Sequence, residues 1–221
     1  MKIKVVPILF LFLIGFSCKT IEKKTGSTNK IIIQWAANLQ GDFSFKEKWS
    51  YREGVYKNRH GQLSCDGFYP LEIDSMKDES GRIYEDSLPA FYKIIDTTHV
   101  FHSLQSHNRM YEYSGTDFIE FVKQENEIIR GESINNVSTH SSLVLELEND
   151  FCVAWVEFNS IRDLGLNKFP LKSGTIKIDR SLFENGIIKA EFDFKFENTV
   201  EPDKELFWNG NIYSEIGAEL K

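Results

Sequence analysis

Three histidines stand close together in the chain, His99, His102 and His107, with Asp96 and Glu112 on either side. Imidazole nitrogens and carboxylate oxygens are ligands of a tetrahedral zinc shell. On a helix, His99 and His102 would share a face and could hold one ion. Thr97, Thr98, Val100 and Phe101 favour an extended chain instead. There an i, i+3 pair points to opposite faces. The spacing therefore assigns no metal, and surface or half-buried histidines are the expectation.

Two glutamates have aromatic neighbours at strand spacing. Glu47 alternates with Phe45 and Trp49, and Glu157 with Val153 and Trp155. A glycosidase needs two carboxylates about 5–10 Å apart, one with its pKa raised by apolar surroundings, and an indole offers a face for sugar to stack on. Nothing in the spacing brings Glu47 to Glu157, and a glutamate at a sheet rim or paired with a lysine explains each equally well. Cys65 and Cys152 are a candidate disulfide in an oxidising compartment. It would close a long loop, worth about 4–5 kcal/mol by chain entropy. Cys152 also lies in the most apolar stretch of the chain, where a free cysteine serves as a small core residue. There is no Walker loop, G-x-G-x-x-G, G-x-S-x-G, H-E-x-x-H or C-x-x-C. No enzyme activity is assigned.

The elements that would carry these residues read as β. Ile188, Ala190, Phe192, Phe194 and Phe196 alternate with Lys189, Glu191, Asp193, Lys195 and Glu197. Period two of this kind is a half-buried antiparallel strand. Leu143, Leu145 and Leu147 repeat the pattern, as do Ile176 and Ile178. Phe151 to Phe158 is apolar at nearly every position, and Phe207 to Ile216 predicts a last strand with Gly210 as a bulge. In the first half, Phe43, Phe45, Trp49 and Tyr51 alternate as one strand. Val55-Tyr56 and Gln62 to Cys65 predict a hairpin, and Met110 to Tyr113 with Thr116 to Val122 predict another. Glu127 to Arg130 adds a short strand. Leu88, Phe91, Tyr92 and Ile95 follow i, i+3, i+4, i+7 with Pro89 in the first turn, which predicts one helix over about 87–96. Ser181 to Glu184 has capping-box spacing, but Gly186 limits it to one turn. The fold expected is all-β, an antiparallel sandwich or barrel with one short packed helix.

Composition agrees with a folded body. The 221 residues are 41% hydrophobic and 27% charged, which excludes wholesale disorder. The net charge is −7 without a basic block, so a nucleic-acid partner is excluded, because phosphate neutralisation needs clustered Lys and Arg.

The first residues carry an address. Lys2 and Lys4 precede an uncharged, largely apolar run from Val5 to Phe16, followed by Ser17 and Cys18. The run is too short to span a bilayer, which takes about 20 residues, and fits the core of an export signal. Residues 1–18 resemble the precursor of a bacterial lipoprotein of the Bacteroidota type. Gly15 stands where the usual lipobox has an aliphatic residue, Ile14 lies one residue early, and Phe16 is bulky where a small residue is usual. The resemblance implies removal of residues 1–17, a diacylglyceryl group on the Cys18 sulfur, and an acyl chain such as palmitate on its new amino terminus. Asn136-Val137-Ser138 has the form of a glycosylation acceptor; in a chain of this resemblance it is read as chance.

The division expected is a signal peptide over 1–17, a lipidated N-terminus and flexible tether over 18–30, and a single β-rich domain over 31–221. Lys19, Thr20 and Ile21 follow the cysteine, where surface-displayed lipoproteins of the group carry acidic residues. That implies an outer-membrane protein facing the periplasm. The body resembles lipoproteins of the group to which no activity is attached, and it transfers no site. The leading expectation is a non-enzymatic binding or interaction domain, held to membrane lipid through Cys18, with a protein or glycan partner and no cofactor. The alternatives are an envelope hydrolase acting on glycan through Glu47 and Glu157, and a metal- or lipid-carrying barrel. An open cleft holding both glutamates, an apolar cavity, or a filled core with an exposed aromatic patch would separate the three.

Overall fold

The alternation from Ile188 to Phe196 builds one wall of a closed barrel. The computed structural model describes residues 29–218, except 53, 67–69, 134–138 and 163. The signal region, Cys18, the tether before Asn29 and the Asn136-Val137-Ser138 acceptor lie outside the described residues. Among the described residues no helix is long and apolar enough to cross a membrane.

Two short strands open the chain, β1 (Lys30–Ile32) and β2 (Gln34–Ala36), followed by a 3-10 turn at Ser44–Glu47. An excursion then carries β3 (Trp49–Tyr51), β4 (Val55–Lys57), β5 (Leu63–Cys65), α1 (Glu72–Ser75), α2 (Leu88–Ile94) and β6 (His99–Phe101). The main sheet resumes with β7 (Leu104–Arg109), β8 (Ile119–Lys123), β9 (Ile129–Ser133), β10 (Ser141–Glu148) and β11 (Phe151–Asn159). It finishes with β12 (Leu166–Asp179), α3 (Arg180–Glu184), β13 (Ile187–Phe196) and β14 (Leu206–Ala218).

From β8 to β14 each strand pairs with the next, and β14 returns to β8, closing a seven-strand barrel. An up-and-down path with an odd number of strands brings its first and last strands round in the same direction. The closing pair must then be parallel, and it is: Ile216, Gly217 and Ala218 run beside Phe121, Val122 and Lys123. Of the two architectures expected, the chain takes the barrel, antiparallel apart from this seam and the parallel β2–β12 pair. Closure pairs most of the edges along these strands.

The wall opens in one place and is patched there. β11 and β12 pair only where Trp155–Asn159 faces Leu166–Pro170. Beyond that they part, β1 adds to β11, and β2 adds to β12. Ile33, between the two short strands, is buried in the barrel core. Inside, Phe192, Phe194 and Phe196 meet Leu143, Leu145, Leu147, Val156, Phe158, Phe169, Ile176, Ile178 and Trp208. The interior is thus filled by side chains from every wall, as small barrels are.

Gly210 is not a bulge. The register runs unbroken through it on both sides, opposite Phe192 and Ser106. A Cβ there would lie 2.2 Å from Gln105 O, so glycine lets β7 come close. The predicted hairpin of 110–122 does not form either. β7 pairs with β14, while β8 pairs with β9 and β14, and residues 110–118 cross between them. The strand expected over Phe43 to Tyr51 is broken by the 3-10 turn. Asp42 Oδ1 accepts from Ser44 N at 2.9 Å, and Phe43 and Phe45 turn inward to Leu39 and Tyr213.

The helix expected over about 87–96 is α2, with Pro89 in its first turn and Phe91 buried. It closes a small second core of Val55, Cys65, Ile73, Ile83, Phe91 and Ile95, all from the excursion. The expected 55–65 hairpin is β4 with β5. The single turn expected near Ser181 is α3, capped by Asp179, whose carboxylate accepts from Leu39 N at 2.9 Å and Leu182 N at 3.1 Å. The Leu39 amide, then the Leu182 amide, holds this carboxyl below the usual aspartate range against the opposing effect of burial.

The expected Cys65–Cys152 bridge is corrected by this arrangement. Cys65 belongs to the excursion core and Cys152 to the barrel core, and both are free. Burial pushes the Cys152 thiol up to about 12 and the Cys65 thiol up as well, so each behaves as a small apolar core residue.

Candidate functional site

β3 and β6 form a two-stranded ribbon at the root of the excursion. Trp49 pairs with Phe101, Ser50 with Val100 and Tyr51 with His99. Because side chains alternate at period two, Trp49, Tyr51, His99 and Phe101 fall on one face. Trp49 and His99 stack with centroids 3.6 Å apart and planes 12° apart. The Tyr51 ring meets both edge-on, at 5.2 Å from Trp49 and 5.3 Å from His99. Trp49 remains 43% exposed and Phe101 58%.

The opposite face is tied down. Ser50 Oγ and His102 Nε2 are 2.8 Å apart, His102 N donates to Lys48 O at 3.0 Å, and the His102 ring lies 5.1 Å from Phe118. At the far end Asp96 accepts from Thr98 N at 2.9 Å and pairs with Arg52 at 3.5 Å. Hydrogen bonds from Thr98 hold the Asp96 carboxyl below its usual range. The result is an exposed cluster of aromatic rings in which Trp49, Tyr51 and His99 pack on one another. Large aromatic side chains with polar edges supply contact area at low entropic cost and are enriched at protein interfaces. The Ser50–His102 contact lies on the face turned away from these rings, and what the ring face offers a partner is contact area.

The histidines do not converge. His99 is in the stack, His102 is bonded on the other face, and His107 sits on β7 with its ring 5.3 Å from Phe207. Asp96 serves the ribbon, and Glu112 accepts from Ser160 Oγ at 2.7 Å and Ile161 N at 3.1 Å. Among the described residues no three metal-ligating side chains are grouped.

The glutamates are not brought together. Glu47 is in the 3-10 turn, beside β7. Glu157 is on the outer wall of β11. Around the barrel, β12, β13 and β14 lie between β11 and β7. Four strand spacings of about 4.8 Å along the curved wall part the elements that carry them, so the two carboxylates stand on different walls. Glu157 is also engaged, accepting from Trp155 Nε1 at 2.9 Å and pairing with Arg130 at 3.6 Å. Lys168 Nζ at 3.8 Å and Arg130 at 5.3 Å lie over the Trp155 ring, which is buried beneath them. The indole that was to stack on sugar already has its partners.

Sequence reasoning reached Trp49 and Tyr51 as alternating strand residues and 97–101 as extended chain. It missed that the two segments pair, because three-residue strands almost fifty positions apart carry no periodic signal linking them. Comparison with family models, with curated proteins and with solved structures finds no match to this chain.

Proposed function

We propose that this chain is an exported lipoprotein, held in the cell envelope through Cys18, whose barrel is a non-enzymatic scaffold presenting the β3–β6 ribbon to a protein partner. The observation that carries the reading is the pairing of a filled barrel interior with an ordered, exposed aromatic platform outside it. A filled interior leaves no room for a carried lipid. The separation of Glu47 from Glu157 leaves the glycan-hydrolase alternative without its paired carboxylates. The address rests on Lys2, Lys4, the apolar run to Phe16, and Cys18. Lys19, Thr20 and Ile21 after that cysteine favour the periplasmic side of the outer membrane.

The test has two parts. Intact-mass analysis of membrane-extracted protein is expected to show acyl chains and loss of residues 1–17; an unacylated chain retaining them contradicts the anchor. A photocrosslinking residue at Phe101 is expected to capture a discrete envelope protein. Trp49→Ala is expected to abolish that capture, and the same crosslinker at Lys177, on the outer wall of β12, to stay silent. Equal capture from both positions, or none from Phe101, contradicts the binding surface.

A further inference from the structure

The hairpin between β11 and β12 ends in a cluster of uncovered aliphatic side chains. Ile161 is 72% exposed, Leu164 43% and Leu166 81%, and Tyr113 beside them 61%. Scattered apolar residues on a surface need no explanation, but three large aliphatics within six positions form a patch. The tip is built to hold them outward. Ser160 N donates to Gly165 O at 3.1 Å, Arg162 N to Ser160 Oγ at 3.0 Å, and Asn167 Nδ2 to Leu164 O at 2.7 Å. Gly165 takes φ +64°, with open space where a Cβ would be.

The base of the tip is clamped to the barrel by Glu112, which accepts from Ser160 Oγ and Ile161 N and lies 3.7 Å from His140 Nδ1. His140 N and Ser141 N both donate to Tyr113 O, which sets Tyr113 alongside. Arg162 supplies a cation within the tip, while Lys168 lies over Trp155. Asp163 lies outside the described residues.

The direction of the chain says what covers this patch. β1 runs antiparallel to β11 with Lys30 opposite Val153 and Ile32 opposite Phe151. Moving back along β1 toward the N-terminus is therefore moving along β11 toward the tip. Asn29 Nδ2 donates to Leu171 O at 3.0 Å and Lys172 O at 3.2 Å, pinning the exit point against β12. From Val153 to Asn159 the strand covers about 20 Å. Cys18 stands eleven residues before Asn29. Eleven residues span about 17–20 Å by the random-coil rule and about 36–40 Å at full stretch. The tether thus matches the distance from the exit point to the tip.

We infer that the β11–β12 tip is a second membrane contact, dipping Ile161, Leu164 and Leu166 into the interfacial layer of the bilayer in which Cys18 is anchored. Tyr113 sits at headgroup level, where its ring and hydroxyl meet both environments. Arg162 lies against lipid phosphates. The acyl chains at Cys18 hold the protein to the bilayer; the tip fixes the orientation of the barrel on it. This inference rests on the anchor proposed above for its choice of partner.

Leu164→Cys in the full chain provides the test: Cys65 and Cys152 are buried and will not take a label, the Cys18 sulfur is blocked in acylated protein, and the parent chain labelled in the same way gives the background from any free Cys18 thiol. A nitroxide is attached at Leu164→Cys or, as a control, at Ser181→Cys on α3 at the opposite end of the barrel. The purified chain is placed in liposomes of phosphatidylethanolamine and phosphatidylglycerol. The label at 164 is expected to lose collisions with a water-soluble nickel chelate and gain them with oxygen, while the label at 181 stays open to nickel. Adding Leu166→Asp is expected to restore nickel access at 164. A label at 164 as open to nickel as the one at 181 overturns the inference. Intact mass on the same sample separates the two readings. Acylated protein with a wet tip removes the tip and keeps the anchor. Unacylated protein with a shielded tip keeps the tip and removes the anchor.

Discussion

β13 pairs with β14 along all ten of its residues, from Ile187 with Glu215 to Phe196 with Leu206. In the excursion between β2 and β7, by contrast, the β3–β6 and β4–β5 pairs extend over three residues each. The barrel core draws on every strand from β8 to β14, whereas the excursion closes on six buried side chains. Small cores bury a smaller fraction of their surface and are correspondingly marginal. Opening free energy should therefore be graded, highest in the barrel and lower in the excursion. The aromatic platform sits on the weaker region, where binding surfaces on connecting segments are commonly found, carried by a rigid scaffold. Order at the platform comes from ring stacking and from the His102–Ser50 contact beneath it, not from a deep core.

The largest effect expected is in the barrel. Phe194 is fully buried among Phe192, Phe196 and the facing walls. Phe194→Ala should cost about 3–5 kcal/mol, read as a fall in the urea midpoint. That is a large part of the roughly 5–15 kcal/mol a domain holds. Phe91→Ala removes a ring of equal burial from the excursion. It should cost about 3–5 kcal/mol locally, yet move the barrel midpoint by less than about 1 kcal/mol. Limited proteolysis of this variant should cut within 49–101 and leave the barrel fragment protected. A Phe91→Ala chain that melts as early as Phe194→Ala would mean the two regions are one cooperative unit.

Asp179 joins the regions' borders, since it caps α3 and holds Leu39 N. Asp179→Ala leaves those amides unmatched and should cost about 1–3 kcal/mol at neutral pH. The folded carboxyl is held below its usual range, so its contribution is complete above the ordinary aspartate pKa of about 3.9 and is lost as pH falls through the lower folded value. The gap between wild type and Asp179→Ala should be constant above about pH 5 and close in stronger acid. Urea melts across that window check both the sign and the position. The smallest effect is expected on the outer wall. Lys195 pairs with Glu205 at 2.6 Å, but both side chains are about half exposed. Lys195→Ala should leave the urea midpoint close to that of the wild type.

What could be read from the sequence follows the same division. β10, β12 and β13 alternate long enough for period two to stand out, and a one-residue slip of β13 would bury Glu191, Asp193 and Lys195 in place of three phenylalanines. α2 declares itself by Pro89 and its apolar spacing. The parallel seam of β14 with β8 did not, because it joins residues nearly a hundred positions apart and only the closure of the barrel demands it. Phe43, Phe45, Trp49 and Tyr51 show why alternation alone misleads: the spacing of a strand also fits a 3-10 turn whose rings pack on Tyr213. Trp155 and Glu157 share the face expected of them, but Arg130 and Lys168, which occupy them, come from β9 and β12. The platform was legible in its parts and not in its assembly, since nothing in residues 49–51 names residues 99–101 as their partner.

Native-state hydrogen exchange tests the division most directly. Amides of β10, β13 and the paired part of β14 are expected to exchange only through global unfolding, with the full denaturant dependence of the whole chain. Amides of β3 to β6 are expected to exchange through a smaller opening with a weaker denaturant dependence. If both sets merge on one line at all urea concentrations, the excursion is not a separate, weaker unit and the barrel is not the independent scaffold described.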